Sequence, residues 1–332
     1  MNKRKIAILG DGAWGTTLAI LLAEKGHNVS LWGAFSNYIQ IVKKMRENEK
    51  FLPQFKIPDT VNITDNAHDA ANQADIVIIA IPSKFLRKTL TNFKDLNLSD
   101  CTITSVIKGI ENKTLKRPSE IIKEELNLDD VCVVSGPNIA IEVARKAPAS
   151  CVCACKDTNK VNEVQDALIT DRFRAYTSDD VIGVELGGSL KNIIAIAAGI
   201  SDGLGFGCNA KSALFTRGLV EMSRLGVAMG AKQETFNGLS GMGDLMTTCI
   251  SPFSRNRYVG EEIARGKTLI EIVQHMNSVA EGICTTESVC ELSKKYNIEM
   301  PITDQIYKVL FENKNPLEAV TDLMKRQRKS EQ

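Results

Sequence analysis

The sequence predicts an α/β domain built on a mostly parallel sheet over residues 1–183, followed by an all-α domain over residues 184–332. Three observations predict this. Short β-rich runs alternate with amphipathic helical stretches up to about residue 180, the pattern of strands joined by crossover helices. After residue 183 the clusters of Val, Ile and Thr stop, and helical stretches follow one another to the end. A glycine-rich turn joins the first strand candidate to the first helix candidate.

The strand candidates, in order, are Lys5–Leu9, Asn28–Trp32, Val61–Thr64, Asp75–Ile81, Cys101–Ile107, Val131–Ser135, Ser150–Cys155 and Arg172–Tyr176. Leu18, Leu21 and Leu22, and then Phe85, Leu86 and Leu90, recur at helical spacing between them. In the second half the helical stretches include Ala210–Met229, Glu261–Ala264, Glu287–Lys295 and Leu317–Lys325. No Gly-, Pro- or Ser-rich linker separates the halves, so they are expected to pack closely. No internal repeat is visible.

A chain of 332 residues has room for two domains, and an apolar share of 43% is enough to give each a core. Lys plus Arg (41) balances Asp plus Glu (40), so no global field favours nucleic acid or an anionic membrane. Any anion must be gripped locally. The nine cysteines form no Cys-x-x-Cys pair, which points to free thiols in a reducing compartment. Cys151, Cys153 and Cys155 alternate as on one strand face, with no histidine nearby to complete a zinc site. The apolar run Ile6–Leu9 ends at Gly10, shorter than the roughly 7 residues of a secretory core. Ile76–Pro82 and Ile193–Ile200 fall short of the roughly 20 residues that span a bilayer. These features predict a soluble, cytoplasmic protein.

Gly10-Asp-Gly12-Ala-Trp-Gly15 follows an apolar strand and opens a helix expected over Thr16–Lys25, which stops at Gly26 before the next strand. That is the context in which Gly-x-Gly-x-x-Gly binds a dinucleotide, in a Rossmann-type domain. Gly10 permits the tight turn, Gly12 the approach of a pyrophosphate, and Gly15 close helix–strand packing. The helix N-terminus favours the phosphates. The acid expected at the end of the second strand is missing. Leu31-Trp-Gly-Ala-Phe-Ser-Asn37 carries no Asp or Glu for a ribose hydroxyl and no Arg for a 2′-phosphate. Its absence leans toward NADPH or the use of both cofactors.

Ligands of open α/β sheets collect beyond the carboxyl ends of the strands. Here those ends include Ile81-Pro82-Ser83, Ile107-Lys108-Gly109 and Ser135-Gly136-Pro137-Asn138. Lys108 can be a solvated lysine or one that polarises a substrate oxygen; position alone does not choose. Lys191 stands in Gly187-Gly-Ser-Leu-Lys-Asn-Ile-Ile194, among glycines and small apolar residues. Small neighbours leave space beside its ammonium, and desolvation lowers a lysine pKa toward the range of an acid–base catalyst. The alternative is a lysine snorkelling to solvent. Asn192 and the Gly-rich stretch Ser201–Gly207 favour a site.

Asp244 could hold Lys191 in place or merely cap a helix, and Thr248 lies one turn beyond it. Ser254, Arg255 and Asn256 precede a helical run, where an arginine fork suits a phosphate. His27, His68 and His275 show no partner pattern for a triad or a metal.

With these residues in place, the chain closely resembles the bacterial type of NAD(P)-dependent glycerol-3-phosphate dehydrogenase over essentially its full length. The motifs that carry the resemblance are GDGAWGTTLA (10–19), IKGIE (107–111), SGPNIA (135–140), GVELGGSLKNIIAIAAGISDGLGFGCNA (183–210), GLSGMGDLMTTC (238–249), SRNR (254–257) and VAEGICTT (279–286). The resemblance implies an oxidoreductase that reversibly reduces dihydroxyacetone phosphate to sn-glycerol 3-phosphate for phospholipid synthesis, with NAD or NADP as cofactor. It also implies a homodimer.

In this resemblance Lys191 matches the catalytic proton acceptor, and Lys108 contacts both cofactor and substrate. Gly136, Asn138, Asp244, Ser254, Arg255 and Asn256 match substrate positions. Ala13, Trp14, Ala140, Val279 and Glu281 match cofactor positions, with Arg255 shared. Two positions depart from the family pattern. Asn138 stands where many relatives carry Ser or Thr. Ala34 stands where many carry His or Arg near the adenosine ribose, which removes a support for NADPH. The alternatives are a related hydroxyacyl-CoA or ketopantoate dehydrogenase, or a dinucleotide-binding redox sensor without turnover.

Overall fold

The computed structural model describes residues 3–276, 279–328, 330 and 331. Its strands are β1 (Lys5–Leu9), β2 (Asn28–Trp32), β3 (Glu47–Asn48), β4 (Leu52–Lys56), β5 (Asn62–Thr64), β6 (Ile76–Ile79), β7 (Thr102–Ser105), β8 (Cys132–Ser135), β9 (Ala149–Ala154) and β10 (Phe173–Ser178). Eight of them form one sheet in the order β10-β9-β8-β7-β6-β1-β2-β5. Every pairing in it is parallel except β8 with β9. The eight are the eight strands expected from the sequence, with ends shifted by one or two residues.

The near-continuous apolar runs follow from burial on both faces. Ile6 and Ile8 enter one core cluster while Ala7 and Leu9 enter the cluster on the opposite face. Cys151, Cys153 and Cys155 are buried together on one face, and the nine cysteines are free. The short antiparallel pair β3–β4 was not expected. Its residues are mostly polar, and Gln54 adopts a positive φ inside β4.

From Val181 to Gly203 runs a 23-residue helix, here the core helix, around which the remaining helices gather. By length and mean hydropathy it could cross a bilayer, but 89% of its apolar window is buried inside the protein. Glu185, Lys191 and Asn192 interrupt its apolar runs, which is why no run near the roughly 20 residues of a bilayer span shows in the sequence. Glu185 at its first turns accepts from the Ser119 amide and hydroxyl and pairs with Arg117 at 2.6 Å, tying the helix to the sheet domain.

Where the core helix crosses the helix Arg255–Ala264, glycines bring the backbones together. A Cβ on Gly260 would collide with the carbonyl of Ile196, and one on Gly199 with that of Arg257. Gly260→Ala is therefore expected to destabilise the protein by about 1–3 kcal/mol through overpacking. A lowered urea midpoint at unchanged m-value would register it; an unchanged midpoint would mean the crossing has slack.

Candidate active site

The glycine-rich turn lies where β1 sits between β6 and β2. Gly10 has φ +129°, and a Cβ there would meet the Ala80 carbonyl oxygen at 2.6 Å, so only glycine fits. The following helix runs Ala13–Glu24, three residues earlier than expected, so Ala13, Trp14 and Gly15 form its first turn. Gly12 is its N-cap residue, with no side-chain cap and no acid in the first turn. A Cβ on Gly12 would meet nothing within 4 Å. Free amides facing open space at a helix N-terminus fit the pyrophosphate of a dinucleotide.

Around this turn, Thr17 donates to the carbonyl of Ala140 at 3.2 Å, joining the two predicted cofactor segments. Trp14 packs on Phe173 with ring centroids 6.4 Å apart. Ala34 is exposed just past β2 and offers only a methyl group. Val279 lies at the approach to the helix Glu281–Tyr296.

The lysines meet on one carboxylate. Lys191 Nζ lies 2.7 Å from Asp244 Oδ1, and Lys108 Nζ lies 2.5 Å from Asp244 Oδ2. Lys191 also donates to Thr248 Oγ1 at 2.5 Å, and Lys108 to the carbonyl of Gly136 at 3.0 Å. Lys191 is 6% exposed and Asp244 is 1% exposed. Lys191 is thus a paired, buried cation and not a snorkelling one; Asp244 is its partner and not a helix cap.

The local glycines explain how the groups reach each other. A Cβ on Gly187 would lie 2.6 Å from the carbonyl oxygen of Ser240, within the π-helical turn Leu239–Gly243 that delivers Asp244. A Cβ on Gly188 would collide with Ser135 Oγ and crowd the stem of Lys108. Gly136, at φ +150°, lies against Ser150 and Cys151, and Asn138 donates to the carbonyl of Ser150 at 2.9 Å.

A second cluster adjoins the first. Asn192 Oδ1 accepts from Asn256 Nδ2 at 2.9 Å, and Asn256 Oδ1 accepts from the Gly282 amide at 2.9 Å. Ser254 caps the helix that begins at Arg255 by accepting from the Arg257 amide. Arg255 makes no hydrogen bond or ion pair among the described residues. Its side chain is accessible to solvent, yet burial lowers its pKa, opposed by the charge of Glu281. An exposed guanidinium without a partner among the described residues can grip an anionic ligand.

Two family models match, one described as the NAD-dependent glycerol-3-phosphate dehydrogenase N-terminus over residues 5–161 and one as its C-terminus over 180–321. A curated glycerol-3-phosphate dehydrogenase [NAD(P)+] from Chlorobium phaeobacteroides (strain BS1) is 49% identical over 98% of this chain and 99% of its own.

The chain belongs to the glycerol-3-phosphate dehydrogenase family.

A relative of the same name from Thermoanaerobacter sp. (strain X514) is also 49% identical, over 98% of both chains. The crystal structure of glycerol-3-phosphate dehydrogenase from Coxiella burnetii superposes with a TM-score of 0.94 at 39% identity, covering 98% of this chain and 99% of that one.

Within this glycerol-3-phosphate dehydrogenase fold, burial is the largest influence on Lys191. It lowers the pKa to about 8; the Asp244 carboxylate opposes the fall and the neighbouring Lys108 charge adds to it. Ser83 and Ser135 stand at the strand ends that the sequence singled out, but it gave neither a role. The Ser83 amide donates to Glu281 Oε1 at 3.0 Å and its hydroxyl donates to Oε2, clasping the sheet domain to the helical one. The buried Oγ of Ser135, beside Gly188, has no partner among the described residues. His27 Nδ1 accepts from the Arg4 amide and His275 Nδ1 lies against the carbonyl of Glu271, so both are occupied elsewhere.

Proposed function

We propose that this protein reversibly reduces dihydroxyacetone phosphate to sn-glycerol 3-phosphate as an NAD(P)-dependent oxidoreductase, in a cleft between units dividing near residue 183. The observation that carries the reading is Lys191, buried and paired through Asp244 to Lys108, with an unpaired Arg255 nearby. Gly10, Gly12, Ala13, Trp14 and Gly15 would hold the dinucleotide, with Ala140, Val279 and Glu281 completing its site. When bound, the reduced cofactor supplies a hydride for the substrate's C2.

The chain's own residues do the rest. Arg255, with Ser254 and Asn256, anchors the phosphate, and this remote contact orients the carbonyl. Lys108 stabilises the negative charge that develops on the C2 oxygen. Lys191 gives one proton to that oxygen and is left as the neutral amine, held by Thr248 and Asp244 until solvent reprotonates it. In the reverse direction the neutral amine removes the hydroxyl proton. Gly136, Asn138 and Asn192 shape the pocket around the three-carbon chain.

Loss of nicotinamide absorbance tests the reading. It is expected with dihydroxyacetone phosphate and not with ketopantoate or acetoacetyl-CoA; the opposite pattern would transfer the protein to another dehydrogenase class. The pH dependence follows from the Lys191 pKa of about 8. Reduction needs the ammonium, so its kcat/KM is expected to fall as pH rises through about 8. Oxidation needs the amine, so its kcat/KM is expected to rise through the same range. Parallel slopes in the two directions would remove Lys191 from the proton transfer.

A cytoplasmic location fits the nine free thiols. A homodimer and a role in supplying glycerol phosphate to phospholipid synthesis rest on the family resemblance.

A further inference from the structure

The loop after β2 carries no acid for the adenosine ribose, but the fold brings a carboxylate to that place from elsewhere. Asp11, between the first two glycines of the fingerprint, is 8% exposed, and its Oδ2 is enclosed without any hydrogen-bond partner. The carboxylate lies against Gly33, the first residue beyond β2: a Cβ on Gly33 would sit 2.7 Å from Asp11 Oδ2 and 2.8 Å from Cγ. Glycine at 33 is what lets the acid reach the strand end.

The backbone of Asp11 is fixed, while its Oδ2 has no hydrogen-bond partner among the described residues. Its carbonyl accepts from Asn48 Nδ2 at 2.7 Å and from Thr16 Oγ1 at 3.3 Å, and Asn48 is itself held by the Tyr38 hydroxyl at 2.7 Å. A built position around a buried carboxylate with one oxygen unpartnered calls for a donor that the described residues do not supply. Burial raises the Asp11 pKa; its own backbone and the charge of Lys50 oppose the rise. A hydroxyl from a bound ligand would relieve the deficit.

We infer that Asp11 replaces the missing strand-end acid: its carboxylate accepts a hydrogen bond from the adenosine ribose 2′-hydroxyl and makes the site select NAD(H) over NADP(H). The inference rests on the dinucleotide reading of the fingerprint. Dinucleotide sites of this class use an acid at the end of the second strand for that hydroxyl. A 2′-phosphate would set two negative charges together in a poorly solvated place. Lys50 is the cation whose charge reaches Asp11, but its ammonium lies over the rings of Phe51 and Tyr38, 5.1 and 5.9 Å from their centroids.

Calorimetric titration of the full-length protein with ADP-ribose and with 2′-phospho-ADP-ribose tests this, alongside KM values for NADH and NADPH. The wild type is expected to bind ADP-ribose at least about tenfold more tightly, the scale of one hydrogen bond to a charged group. Asp11→Asn is expected to narrow that ratio by about tenfold. Equal binding of the two fragments by the wild type, or tighter binding of the phosphorylated one, overturns the inference. So does an unchanged ratio in folded Asp11→Asn. Should that variant not fold, the wild-type ratio decides. Failure of both fragments and both cofactors to bind is a different result, one that removes the dinucleotide reading itself.

Discussion

Lys191→Ala is expected to lower kcat for dihydroxyacetone phosphate reduction by about 10²–10⁴-fold, the usual contribution of a positioned proton donor. Cofactor affinity, measured by fluorescence titration, is expected to stay near wild type, because the hydrogen bonds of this side chain go to Asp244 and Thr248 and none to the glycine turn among the described residues. Asp244 keeps Lys108 as a partner, so the loss is of proton transfer and not of an entire charge cluster.

The same lysine is expensive to bury. Folding lowers its pKa from 10.5 to about 8. Below pH 8 its ammonium therefore costs about 3 kcal/mol, and the cost fades as the pH rises toward 10.5. Lys191→Met is accordingly expected to be inactive yet no less stable than wild type at pH 7 in a denaturant titration. An active Lys191→Met, or Lys191→Ala within a few-fold of wild type, would end the proposed mechanism.

Arg255→Ala is expected to raise the KM for dihydroxyacetone phosphate by about 10–100-fold, the range for losing a hydrogen-bonded charged partner. The effect on kcat is expected to be smaller. Arg255 has no partner among the described residues to compensate for a missing ligand, so its truncation strands no other group there except through the weaker influence on Glu281. Unphosphorylated dihydroxyacetone supplies the control: its kcat/KM is expected to change little in the same variant. An equal KM for the phosphorylated substrate in both proteins would move the phosphate to another part of the cleft.

The sheet was legible because burial on both faces writes a strand as an uninterrupted apolar run, as in Ile76–Ile79. The β3–β4 pair was not, because its strands of two and five residues bury only Asn48 and Leu52, too few to leave a period in the sequence. Among site residues, Lys191 stood out as a charge in an apolar helix, and Asp244 as an acid after a glycine pair. That both oxygens of Asp244 are occupied by lysines 53 and 136 residues away is a tertiary fact that no local pattern encodes. The sequence assigned a role to the glycines on either side of Asp11 and none to Asp11 itself. Its carboxylate lies against Gly33, brought near by the parallel pairing of β1 with β2, a contact that no local pattern encodes.

The core helix does more than present a lysine. Val184 near its start joins a small apolar cluster with Val133 of β8 and Ala154 of β9, while Ile196 and Gly199 lie under the helix Arg255–Ala264. One continuous rod is thus rooted in both halves, and Lys191 sits partway along it. A hinge between the lobes would have to bend that rod or break the contacts of Val184 with Val133 and Ala154. Evolution could then exchange neither lobe for a foreign one without recasting the shaft that joins them.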